Sequence, residues 1–185
     1  GVHAIAFHRI AHFFWGYRLK LLAALFSGLG RFLTGIEIHP AAKIGKCIFI
    51  DHGMGTVIGG TAVVGDHCRL HQNVTLGSRG SDAKGRRHPR LGNNVMVGAG
   101  ATILGPVDIE DHVQIGANAV VTQSVPSECT VVGNPGRIIR NVPDQDRDDL
   151  PAFVKSDPVG ETIDAMIQDI RSIKTHIGIK DPDHK

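Results

Sequence analysis

Between Leu91 and Val121 an aliphatic side chain recurs at every sixth position: Leu91, Val97, Ile103, Ile109, Ile115 and Val121. A second series of smaller apolar residues runs four places behind it, through Val95, Ala101, Val107, Val113, Ala119 and Val125. Glycine often follows the larger residue, as in Val97-Gly98 and Ile115-Gly116. A helix repeats at 3.6 and a half-buried strand at 2, so neither carries a pattern of six. A fixed hexapeptide period is the mark of a parallel β-helix, in which three hexapeptides, about eighteen residues, make one triangular coil. The large aliphatic points inward, and the small residue four places on fits the turn.

The period continues upstream in shifted phase. Ile38, Ile44 and Ile50 form one run; Ile58, Val64, Leu70 and Leu76 form another. The jump between Ile50 and Ile58 places a small bulge or tight loop near His52 to Thr56. A larger jump separates Leu76 from Leu91. The segment Ser78-Arg79-Gly80-Ser81-Asp82-Ala83-Lys84-Gly85-Arg86-Arg87-His88 has no inward aliphatic, so it is expected to leave the coil as a loop. Insertions in solenoids cluster on one face, often the binding face.

Three segments follow. Residues 1-35 form a helical segment, truncated in front if residues precede Gly1. It holds one helix over residues 3 to 15 and a second from Leu19 to Leu33, broken by Gly28 and Gly30. Ile5, Phe7, Ile10, Phe13 and Phe14 spread over several helical faces, so these helices need cover from the coil or from another subunit. Residues 36-136 form the coil, with the loop at 78-88, closed by the turn-rich Gly133-Asn134-Pro135-Gly136. Residues 137-185 read as a linker and then an amphipathic helix from Pro158, capped by Asp157. Ile163, Met166, Ile170, Ile173 and Ile177 follow a coiled-coil spacing. Docking on the chain's own coil and self-association about a three-fold axis both satisfy it.

A formal charge of +2 and the lack of a basic, aromatic-interleaved run exclude a nucleic-acid surface. No segment reads as a membrane span. Three irregularly spaced cysteines make no disulfide framework, and with no secretory signal a cytoplasmic location is expected. Cys68 falls on the small inward series and reads as core. His8 and His12 share a helix face at a zinc-compatible spacing, but no flanking acid supports a metal there.

Polar residues meet loop geometry in three places: Glu37-Ile38-His39-Pro40, Asp51-His52-Gly53-Met54-Gly55 and Arg87-His88-Pro89. The spacing of Glu37 and His52 is close to one coil, so the two can be neighbours on adjacent coils. A carboxylate on one imidazole nitrogen fixes the tautomer and leaves the other as a base.

Residues 35–45 (GIEIHPAAKIG), 50–55 (IDHGMG), 74–77 (VTLG), 86–89 (RRHP), 97–105 (VGAGATILG) and 133–139 (GNPGRII) resemble the serine O-acetyltransferases, hexapeptide-repeat acyltransferases. The similarity covers about residues 1 to 140. It implies a left-handed coil, although parallel crossovers are usually right-handed. The fold class is thus mainly β, a left-handed parallel β-helix preceded by a short helical segment and followed by a C-terminal helix. The resemblance further implies acetyl transfer from acetyl-CoA to the hydroxyl of L-serine in cysteine biosynthesis, with no metal, in a homotrimer or dimer of trimers. It assigns His52 as general base, Glu37 as its partner, and Asp51, Arg87 and His88 to serine. Acetyl-CoA is assigned to Gly77, Ala99, Ala117 and Arg137 or Arg140. The family's usual Gly-Gly-Thr-Gly is Gly77-Ser78-Arg79-Gly80 here, and Gly60 stands where many members carry Glu. The tail Pro182–Lys185 lacks the terminal isoleucine through which such enzymes dock to O-acetylserine sulfhydrylase, so that association is not expected.

Three other readings stand beside this one. The first is a hexapeptide acetyltransferase for another hydroxyl or amine. The second is a γ-type carbonic anhydrase with zinc on His67, His71 and His88. The third is a non-catalytic scaffold.

Overall fold

A computed structural model describes residues 1–80 and 85–141, with Met166 and Gln168. The chain divides into two units, Gly1–Asp144 and Gln145–Lys185. In the second, Met166 and Gln168 are helical, and the rest of the expected C-terminal helix lies outside the described residues.

The first unit is a left-handed parallel β-helix with three flat faces. The first face stacks Glu37–Ile38, Val57–Ile58, Thr75–Gly77, Thr102–Leu104 and Val120–Val121. The second stacks Lys43–Ile44, Val63–Val64, Arg90–Leu91 and Asp108–Ile109. The third stacks Phe49–Ile50, Arg69–Leu70, Met96–Val97, Gln114–Ile115 and Cys129–Val132. Within each face the coils pair in parallel, large aliphatic on large aliphatic: Ile38 on Ile58, Ile58 on Leu76, Leu76 on Ile103 and Ile103 on Val121. These residues and the smaller series from Ala42 to Val125 form one continuous buried core. Each fully buried aliphatic contributes about 1.5–3 kcal/mol. Cys68 belongs to that core, its thiol donating to the Gly92 carbonyl at 3.1 Å.

Two helices cover the start of the coil, α1 (Val2–Gly16) and α2 (Lys20–Thr34). The helix α2 runs through Gly28 and Gly30 without the expected break. Gly30 is where the hairpin closes, since a Cβ there would lie 2.8 Å from the Phe7 Cβ. Contact with α1 outweighs the low helix propensity of glycine. One side of α1 grips the first coil: the Arg9 guanidinium donates to the Ile44 carbonyl at 2.7 Å, and His12 Nδ1 bonds the Pro40 carbonyl at 2.7 Å. From α2, the Ser27 hydroxyl donates to the Ile38 carbonyl at 3.0 Å. His8 is buried between these elements, and neither ring nitrogen makes a hydrogen bond of normal geometry to a described residue. Burial, then the charges of His12, Arg9 and His39, hold it down to about 4, with only the Ala42 backbone acting the other way.

At the far end, Arg137–Asn141 is a strand instead of the start of a linker. It runs antiparallel to Cys129–Val132 and covers the last edge of the third face. An uncovered edge invites pairing with other chains, so this strand has a structural task.

Candidate active site

The first coil is two residues longer than the second, because Ile38 pairs with Ile58 while Ile58 pairs with Leu76. The surplus widens the corner between the third and first faces at residues 51–56. His52 takes a left-handed conformation there, φ 54°, and so does Gly55, φ 75°. Thr56 is fully buried and ties the turn to the next coil, donating through its hydroxyl to the His71 carbonyl at 2.9 Å. The His52 side chain stays 80% exposed, with Nε2 3.7 Å from Asp51 Oδ1, too long for a hydrogen bond. The imidazole is thus open to a substrate and flanked by a carboxylate.

Glu37 stands on the first face beside this corner, its backbone N–H donating to the Thr56 carbonyl at 2.9 Å. Its carboxylate does not bond His52. It pairs instead with the Arg31 guanidinium of α2 at 2.9 Å. Arg31 lies in the last turn of α2, and the left-handed turn at Gly35, φ 67°, carries the chain from it to Glu37.

The opposite border of the first face holds His39, Arg87 and His88. His88 is buried to 7% exposure and its Nδ1 lies 2.7 Å from the Thr61 hydroxyl. That hydroxyl also accepts the backbone N–H groups of Arg87 and His88, at 3.0 and 3.1 Å. With both lone pairs used it donates its proton to Nδ1, so the neutral ring carries its own proton on Nε2. Burial first, then Arg87 and His39, lower the His88 pKa, which keeps the ring neutral. Thr61 was not among the residues singled out from the sequence; its only signal is its place directly after the glycine pair.

That pair explains how two rings fit. A Cβ on Gly59 would lie 2.1 Å from His88 Nε2, and one on Gly60 would lie 2.9 Å from His39 Nδ1. Each glycine is the floor under one imidazole. Gly59→Ala is expected to push the His88 ring from its seat and lower kcat/KM by about tenfold or more. Steady-state kinetics beside a circular dichroism spectrum check this; full activity with a wild-type spectrum contradicts it.

The root of the loop is clamped on both sides. The Arg86 guanidinium grips the Asp108 carboxylate through two bonds of 2.8 Å and also donates to the Pro106 carbonyl at 3.0 Å. Arg79 donates to the Thr122 carbonyl. Arg87, one residue on, makes no side-chain bond or ion pair to a described residue. The adjacent arginines thus divide the work, one holding the loop and the other facing out beside the two imidazoles.

Of the residues expected at the acyl donor, Ala99 and Ala117 stack at the His52 corner, where the Asn118 N–H donates to the Ala99 carbonyl at 2.8 Å. Gly77 ends its strand on the opposite border of the first face. Arg137 is exposed on the closing strand. The side chain of Arg140 lies outside the described residues. His67, His71 and His88, the alternative zinc set, occupy three different corners, and no group of three metal-ligating residues occurs among the described residues. No described helix is long and apolar enough to cross a membrane.

The bacterial transferase hexapeptide (six repeats) family matches residues 88–123. The serine acetyltransferase of Synechococcus elongatus is 56% identical over 139 residues, 75% of this chain and 57% of the relative. A crystal structure of Neisseria gonorrhoeae serine acetyltransferase in complex with serine superposes with a TM-score of 0.72 at 41% identity, covering 76% of this chain and 57% of that one. The Brucella abortus enzyme in complex with coenzyme A gives 0.75 at 40% identity, covering 77% and 57%. The chain therefore spans a little over half the length of these relatives.

Proposed function

The chain belongs to the hexapeptide-repeat acyltransferases, in the group of the serine acetyltransferases, and from that premise we propose that it acetylates the hydroxyl of L-serine with acetyl-CoA, the entry step to cysteine biosynthesis. The observation that carries this reading is the first face itself: an open imidazole with a carboxylate beside it on one border, and on the other a neutral imidazole with a guanidinium that has no partner among the described residues. Those are the groups an amino-acid alcohol requires. Relatives named for this activity, one in complex with serine and one with coenzyme A, support it.

A serine hydroxyl is a weak nucleophile at neutral pH and needs a base. His52 takes its proton as Oγ attacks the thioester carbonyl. The tetrahedral oxyanion collapses, the C–S bond breaks, and the protonated His52 returns the proton to the CoA thiolate. Asp51 meets the ammonium and Arg87 the carboxylate. His88, with its proton on Nε2, is a neutral donor for the developing oxyanion. Glu37 serves His52 when its carboxylate turns from Arg31. None of the three cysteines belongs to these motifs, and Cys68 and Cys129 are buried, so transfer runs directly in a ternary complex. Free cysteines suit a reducing compartment, and we place the protein in the cytoplasm.

We further assign a trimer whose clefts lie along the first face. Beyond Glu37 on its first strand, the outward positions there are Val57, Thr75, Thr102 and Val120, without charge, whereas Lys43, Arg69 and Arg90 stand on the other two. The apolar outer side of α2, with Leu21 and Phe32 each 84% exposed, leaves a second surface for contact between copies.

The test is acetyl-CoA thiolysis with L-serine against other hydroxy amino acids and simple amines. Preference for L-serine is expected; equal rates with amines or alcohols that lack a carboxylate would overturn the reading. Arg87→Lys is expected to raise KM for L-serine about tenfold, because an ammonium cannot make the paired contact of a guanidinium. An unchanged KM removes Arg87 from the acceptor site.

A further inference from the structure

The mechanism leaves one well-placed imidazole unused. His39 follows Glu37 and Ile38 out of the first face; it is exposed, with its ring set against Gly60 and Trp15. Its ring lies on Gly60, where a Cβ would come within 2.9–3.1 Å of three ring atoms. Trp15 meets it edge-on, with ring centroids 5.2 Å apart. The next carbonyl, that of Pro40, is held by His12 one turn earlier on the same side of α1. The Ala41 backbone N–H donates to His39 Nδ1 at 3.0 Å. An acceptor at Nδ1 leaves the ring proton on Nε2. Nε2 has no partner among the described residues.

The charges around it are specific. Burial lowers the His39 pKa first and the Arg87 guanidinium next, with Glu37 acting in the other direction. The ring thus stays a neutral donor next to a guanidinium with no anionic partner among the described residues. A carboxylate placed at Arg87 would find a second, uncharged N–H beside it.

We propose that His39 is a binding residue for the carboxylate of the amino-acid acceptor, donating from Nε2 alongside Arg87, and that Trp15 of the helical hairpin holds it in place. This rests on the acceptor being an α-amino acid, as argued above. A neutral donor adds direction to the carboxylate site without adding a second positive charge.

The test uses His39→Phe, which keeps a ring over Gly60 and against Trp15 but removes the donor, and His39→Gln, which restores an N–H at similar reach. His39→Phe is expected to raise KM for L-serine about tenfold, the scale of one hydrogen bond to a charged group. KM for acetyl-CoA is expected to stay within about twofold. The preference of the enzyme for L-serine over L-serinamide, which lacks the carboxylate, is expected to shrink by the same factor, and His39→Gln to recover most of it. Unchanged serine-over-serinamide preference in His39→Phe overturns the inference, as does a fall in kcat at constant KM. Should His39→Phe misfold, His39→Gln decides alone: binding close to wild type is expected, and loss of the preference despite the restored donor overturns the proposal. A wild-type protein that fails to acetylate L-serine overturns the functional reading and this inference with it. A wild type that acetylates serine but shows no effect at His39 overturns only the latter.

Discussion

Replacing His52 by Asn is expected to lower kcat for acetyl transfer to L-serine by about a thousandfold, within the range of general base catalysis. Asn is a better probe than Ala because residue 52 sits at φ 54°, a conformation that Asn adopts more readily than most residues. A loss in His52→Asn therefore reports the missing base and not a strained turn. The imidazole is 80% exposed, so few packing contacts go with it. The circular dichroism spectrum, the oligomer mass and KM for acetyl-CoA are expected to stay as in the wild type. Retained turnover would take His52 out of the chemistry and leave His88 as the imidazole to examine.

The second large effect concerns stability. His8 is held to about 4 in the folded chain, against 6.5 when unfolded. The unfolded state therefore binds the proton more readily. Stability from this residue is complete above pH 6.5, falls as the pH drops, and levels off below about 4. At about 1.4 kcal/mol per unit, the loss amounts to about 3 kcal/mol. Urea midpoints measured from pH 7.5 to 3.5 are expected to fall steeply in the wild type. His8→Leu, which places no polar atom in the site, is expected to flatten the curve: a gain of about 1–3 kcal/mol at pH 7.5, the penalty of unpaired buried polar groups, grows by about 3 kcal/mol at pH 3.5. Parallel pH curves for the two proteins would show that His8 finds a partner in solution.

The coil was legible because six-residue periodicity is a geometric constraint that few backbones satisfy. The series from Leu91 to Val121 and from Val95 to Val125 is buried at every member. Residues 78–80 and 85–88 of the expected loop leave the strand stacking, as the lack of an inward aliphatic predicts, and the wide turn at His52 was marked by a phase shift. Contacts between distant segments were not legible. Gly30 looked like a helix breaker until Phe7 was seen packed on it. Arg137–Asn141 looked like linker because its purpose is to cover an edge that only the folded coil creates. In the candidate site, Asp51, His52, Arg87 and His88 stood out as polar residues in motif positions. Thr61 and Gly59 did not, and Gly60 drew notice only as a missing Glu, since their work is to seat other side chains. Glu37 was expected beside His52, and its salt bridge to Arg31 is set by the turn at Gly35 that ends α2.

The antiparallel direction of Arg137–Asn141 has a consequence for the whole molecule. Coils that stack in one direction have no intrinsic last member, and end-to-end addition of copies would yield a fibre. The strand Arg137–Asn141, running against the grain, breaks the parallel register in which a further coil of this kind would stack, while the helical hairpin covers the other end. Among the described residues the parallel stack is thus bounded by two unlike elements, a helical pair at its start and a reversed strand at its far edge.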